Sequence, residues 1–144
     1  MCVIYDKDVE ARVREKANKD GWITAYKVVK VRGEGRYTPI YFKTGIPFQK
    51  GENELPEDQR RRRSYKPWDG FGFHVFLNLA TARTHKRGIR AYRIVKVRAH
   101  IDDLIIAGGT TINSKTDLQA AFRRITFPSF KVVPLRRPKR KAVS

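Results

Sequence analysis

Ten residues of this chain occur twice. Ile23-Thr24-Ala25-Tyr26-Lys27-Val28-Val29-Lys30-Val31-Arg32 returns as Ile89-Arg90-Ala91-Tyr92-Arg93-Ile94-Val95-Lys96-Val97-Arg98, with seven of the ten positions identical. Both copies are rich in β-branched residues, which restrict χ1 and pack well on a pleated surface, so each reads as a strand. Alternate side chains of a strand point to opposite faces. Tyr26, Lys30 and Arg32 therefore share one face, and Tyr92, Lys96 and Arg98 share the corresponding face of the second copy. Ile23, Ala25, Val29 and Val31 take the other side, which has first claim on burial. An old duplication and two neighbouring strands under the same packing demands account for the repeat equally well.

The remaining periodicities surround these strands with short elements. Residues 6–19 read as a helix capped by Asp6, with Val9, Val13 and Ala17 on one face and Gly21 beyond its end. Gly33-Glu34-Gly35 is a turn, and 37–43 is a weaker strand that Pro39 places at an edge or makes start late. Residues 44–69 show no period and are expected to be a long irregular loop holding Glu52, Glu54, Glu57, Asp58 and the run Arg60-Arg61-Arg62-Arg63. The acids there are expected to pair with that run in the absence of ligand. Residues 71–77 resume as a strand, Asn78 caps a helix to about Arg87, and Gly88 closes it. Leu104-Ile105-Ile106-Ala107 is a buried run. Ser114-Lys115-Thr116-Asp117 resembles a capping box opening a helix to about Arg124. Residues 125–133 form a last strand bent by Pro128, and 134–144 is a basic flexible tail. The expectation is one α+β domain over 1–133, a mostly antiparallel twisted sheet with two or three short helices and a long basic loop.

The charge points to a partner class. In 144 residues, 32 Lys and Arg stand against 14 Asp and Glu, a net +18. Residues 6–20 are balanced, so the excess lies from Gly21 onward, and Asp102, Asp103 and Asp117 are the acids beyond Asp69. So lopsided a charge repels itself and commonly reflects a polyanionic partner. Cations bind phosphates while aromatic faces stack on unpaired bases. The candidate binding residues are the repeat faces, Arg60 to Arg63 with Tyr65, Lys66 and Trp68, the group Arg83, Lys86, Arg87 and Arg90, and Arg136, Arg137, Lys139, Arg140 and Lys141 in the tail. Tyr26 and Tyr92 have a second reading, in which they point into the core and lysine stems wrap around them.

Other chemistries find less support. His74, His85 and His100 are scattered, and acid–base cleavage needs two groups on one phosphate. Asp102-Asp103 is thin for a metal site, so neither a metal nor a cofactor is expected. Cys2 would be an N-terminal nucleophile if Met1 were removed, although Val3 stands where such enzymes carry glycine. A single cysteine, no basic-then-apolar leader and no run of about 20 apolar residues together point to a reducing cytoplasm without membrane insertion.

Ala25-Tyr26-Lys27-Val28-Val29, Phe42-Lys43-x-Gly45, Gly72-Phe73-His74-Val75-Phe76 with an Ala-rich helix after it, and Leu104-Ile105-Ile106-Ala107 resemble, in that order, small uncharacterised bacteriophage proteins. The likeness spans about residues 23–133. It implies a phage-encoded accessory protein in the host cytoplasm and brings no catalytic residue. The Gly-Phe-His-Val-Phe strand and helix also resemble ADP-ribosyltransferase-like folds. That family orients the nicotinamide ribose with a late Glu, and no Glu follows Glu57 here. The expected function is non-enzymatic binding of RNA or single strands, with inhibition of a host nucleic-acid-guided defence complex as its setting. The alternatives are an inhibitor docking on an acidic protein surface and a small enzyme using His74 or Cys2.

Overall fold

The two copies of the repeat pair with each other. In the computed structural model, which describes residues 3–32, 36–39, 48–55, 68–69, 72–86, 89–109 and 118–134, strand β2 (Trp22–Arg32) runs antiparallel to β7 (Tyr92–His100). Nine residue pairs run from Trp22 opposite His100 to Lys30 opposite Tyr92. Val28 and Ile94, which are equivalent in the two copies, lie opposite one another. The ribbon therefore has a local two-fold axis at that pair, so that Tyr26 opposite Lys96 on one side recurs as Lys30 opposite Tyr92 on the other.

The rest of the described chain is laid beside this ribbon. In chain order the other elements are β1 (Val3–Tyr5), α1 (Lys7–Lys16), β3 (Arg36–Pro39), β4 (Gly51–Glu54), β5 (Trp68–Asp69), β6 (Phe73–Phe76), α2 (Leu79–Lys86), β8 (Leu104–Gly109), β9 (Gln119–Phe122) and β10 (Arg124–Phe127). One sheet holds all ten strands in the order β4-β10-β7-β2-β6-β9-β8-β1-β5, with β3 paired to β2, and each pairing is antiparallel. The architecture is the expected α+β one. No helix among the described residues is long and apolar enough to cross a membrane.

One sheet face carries the main core. Ile23, Ala25 and Val29 of β2 join Val95, Val97 and Ala99 of β7, Val75, Phe122, Ile125 and Phe127 there. Helix α1 contributes Val9 and Val13, its start fixed by the Asp6 carboxylate, which accepts from the N–H groups of Asp8 at 2.9 Å and Val9 at 3.4 Å. The opposite face carries a smaller cluster in which Ala82 of α2 meets Val28, Ile94 and Phe76. Asn78 starts α2 by accepting from Thr81 N–H at 2.8 Å.

Three expectations change. Residues 119–124 form β9 and the start of β10 rather than the end of a helix, while 114–117 lie outside the described residues. Gln119 to Phe122 are all buried between β6 and β8, so burial on both faces outweighs the helix preference of the two alanines. The stretch expected to be irregular contains β4 and β5. Gly-Glu-Asn-Glu has little strand propensity, but Arg124 of β10 reaches Glu52 at 3.2 Å and Glu54 at 2.9 Å across the pair. These acids meet Arg124, whereas Arg60 to Arg63 lie outside the described residues. Finally, β10 stops at Phe127 before Pro128, and Val132 returns to bridge Val95.

Among the described residues, β1 runs close over Gly108 of β8. A Cβ on Gly108 would lie 1.6 Å from the carbonyl oxygen of Ile4. Gly108→Ala is therefore expected to destabilise the protein by about 3 kcal/mol, the upper range for overpacking, as measured by denaturant titration.

Candidate nucleic-acid interface

The two-fold pairing of the repeat builds a ladder of aromatic and cationic side chains. Tyr26 lies opposite Lys96, Tyr92 opposite Lys30, Thr24 opposite Arg98 and Trp22 opposite His100, all on the sheet face away from the main core. Directly opposite residues have Cβ atoms about 4.5–5.5 Å apart, close enough for each pair to act as a unit. The cause lies in the sequence: each copy carries Tyr and Lys four positions apart, centred on the residue through which the axis passes.

Helix α2 divides this face. Its cluster with Val28 and Ile94 takes in Tyr26, Tyr92, Leu79 and Val133 at the margin. Both tyrosines are half-buried, which places them between the two sequence readings. Lys30 is also half-buried, whereas Thr24, Lys96 and Arg98 are exposed. Arg90 is exposed in the turn before β7.

Two cations of the group around α2, Arg83 and Lys86, are engaged internally. Lys86 is only 3% exposed, and its Nζ donates to the Ile89 carbonyl at 3.3 Å. It is therefore engaged by backbone rather than presented to a phosphate. Arg83 Nη2 donates to the Pro134 carbonyl at 3.2 Å, tying down the segment that Val133 N–H anchors on the Ile94 carbonyl at 2.8 Å. Arg93 donates to the carbonyls of Arg90 and Tyr92.

Of Arg32 and Trp68 the structure describes the backbone. Arg32 pairs with Arg36 beside the ribbon, whereas Trp68 pairs with Ile4 at the far edge, five strand steps from β2 or roughly 24 Å along the sheet. The sheet does not bring Trp68 to the ribbon. Arg60, Arg61, Arg62, Arg63, Tyr65, Lys66, Arg87, Arg136, Arg137, Lys139, Arg140, Lys141 and Cys2 lie outside the described residues.

Two side chains on this face were not singled out from the sequence. Trp22 is half-buried and carries the Arg98 guanidinium over its ring, 5.0 Å from the centroid. Thr24 is exposed beside it. Strand alternation puts residues 22, 24 and 26 on one face, so the signal was present; Trp22 was missed because it precedes the repeat, where the second copy has Gly88.

The histidines do not converge, because His74 is on β6, His85 on α2 and His100 at the end of β7. His85 packs on Phe76 with ring centroids 4.6 Å apart. Asp102 and Asp103 lie in a 3₁₀ turn rather than a strand. Among the described residues, no group of three or more His, Cys, Asp or Glu is placed to hold a metal ion.

One cation of the ribbon faces the other way. Lys27 projects into the main core side, 8% exposed, where its Nζ donates to the His74 carbonyl at 2.7 Å and lies 5.5 Å from the Phe48 ring centroid. Burial lowers its amine from the ordinary 10.5 to about 7.

Comparison with known proteins finds no matching family model, no matching curated protein and no matching solved structure. The functional reading therefore rests on this chain's own side chains.

Lys27 gives a pH signature. Below pH 7 the amine is protonated in both the folded and unfolded chain, and the full penalty for burying the charge applies. Between about 7 and 10.5 the unfolded chain holds the extra proton, so stability rises with pH. Lys27→Met is expected to be more stable than the parent at pH 6, with the gap closing between pH 7 and pH 10.5 in denaturant titrations.

Proposed function

We propose that the protein is a non-enzymatic nucleic-acid-binding protein that grips RNA or single strands through the outer face of the β2–β7 ribbon. The observation that carries this reading is the ladder itself: exposed Lys96 and Arg98 beside half-buried Tyr26 and Trp22. Cations neutralise phosphates without regard to sequence, and aromatic faces accept any unpaired base. The net charge of +18 supplies long-range attraction, and the basic residues of 60–63 and 136–141 add to it. The resemblance to bacteriophage proteins supplies the setting, an accessory factor that occupies nucleic acid needed by a host defence complex.

The salt dependence of binding tests this. On single strands the affinity should fall steeply with added salt, and Lys96→Ala/Arg98→Ala should flatten the log–log slope by about 1.4, roughly 0.7 for each cation removed. The signal is fluorescence anisotropy of a labelled RNA strand titrated at several salt concentrations. Salt-indifferent binding, or a host protein retained after nuclease digestion with no affinity for nucleic acid, would favour the protein-docking alternative.

A further inference from the structure

Among the described residues Trp22 joins none of the three buried apolar clusters, yet its position is fixed from several sides. Its backbone N–H donates to Asn18 Oδ1 at 2.9 Å and its backbone carbonyl accepts from Asn18 N–H at 2.9 Å, which fixes the Cα from which the indole projects. Its ring meets His100 edge-on, with centroids 5.1 Å apart and planes at 89°. His100 is itself clamped. Its Nδ1 accepts from Asp102 N–H at 3.1 Å, which leaves the proton on Nε2 to donate to the Asp20 carbonyl at 2.8 Å. The close fit of Gly21 belongs to the same arrangement: a Cβ there would lie 2.6 Å from the His100 ring, and the backbone takes φ +88°.

A large aromatic held this firmly without filling a core is how stacking platforms are built, because little freedom remains to be lost on binding. Arg98 lies over the ring, and exposed Thr24 and Lys96 lie on the same face. With the Arg98 guanidinium over one face of the indole, these groups set an aromatic ring, a hydroxyl and two cations within a few residues of one another.

We propose that Trp22 is the base-stacking residue of the interface and that Arg98 and Lys96 hold the flanking phosphates, so that this end of the ribbon takes an unpaired nucleotide and discriminates against duplex. This deepens the binding function proposed above and rests on it. A base in a duplex is stacked on both sides and cannot offer its face to an indole, whereas a single strand can. The phosphates of either form would still attract Arg98 and Lys96. Discrimination therefore belongs to Trp22, and salt sensitivity to the two cations.

The test uses the full chain freed of nucleic acid, with oligoadenylate RNA and a blunt RNA duplex of equal length as probes. Trp68→Phe leaves Trp22 as the indole reporter, and its emission should be quenched by the single strand and little changed by the duplex. Trp22→Phe should lose that response. Trp22→Ala, checked for folding by circular dichroism, should bind the strand about tenfold more weakly with an unchanged salt slope, since stacking releases no counterions. If Trp22→Ala does not fold, the two phenylalanine variants still decide. Undiminished strand affinity in folded Trp22→Ala, equal quenching by duplex, or an unresponsive Trp22 while anisotropy reports binding would overturn the stacking role and leave the binding function standing. Failure of both probes to bind at low salt would remove both.

Discussion

The antiparallel register of β2 and β7 is the constraint on which the described structure depends. It sets Val28 against Ile94, and all else on the ribbon follows from that pairing. A slip of one residue in β2 would turn Ile23, Ala25 and Val29 away from the main core and bring Tyr26 and Lys30 towards it. Because the copies are nearly identical, one register satisfies both strands at once. The aromatic–cation ladder is thus a by-product of symmetry combined with burial: the apolar face fixes the register, and the register assembles the polar face.

The symmetry is incomplete, and the departures from it set the character of the two faces. Helix α2 and Val133 cover the centre of the outer face, so the tyrosines serve partly as packing. At one end Trp22 has no counterpart, because the second copy carries glycine there. Lys27 departs in another way, as its amine enters the core where the second copy has Arg93 tied to nearby carbonyls. The His74 carbonyl and the Phe48 ring hold the amine there, and with its pKa lowered to about 7 a growing share of molecules is uncharged at Lys27 as the pH rises above neutrality.

Charge alone is a poor guide to which cations the fold leaves exposed. Lys86 is buried on the Ile89 carbonyl, Arg83 holds the Pro134 carbonyl, and Arg124 holds an edge strand of unlikely composition against β10. In sequence each looks like its exposed neighbours Lys96 and Arg98. What separates them is whether a backbone carbonyl or carboxylate lies within reach once the chain has folded.

The sequence by itself determined the two repeat strands, their facing, the capped first helix, the Asn78-capped second helix and the α+β class, because each depends on local periodicity or on a cap within a few residues. It also placed Tyr26, Lys30, Tyr92 and Lys96 on matching faces. Only the tertiary structure decided that the copies pair, that Gln119 to Phe122 form a strand, and that Gly-Glu-Asn-Glu does the same. Those outcomes depend on partners distant in sequence, whose burial and ion pairing outweigh local preference. The same holds for Trp22, whose surroundings of Asn18, Arg98 and His100 come together when β7 pairs beside β2.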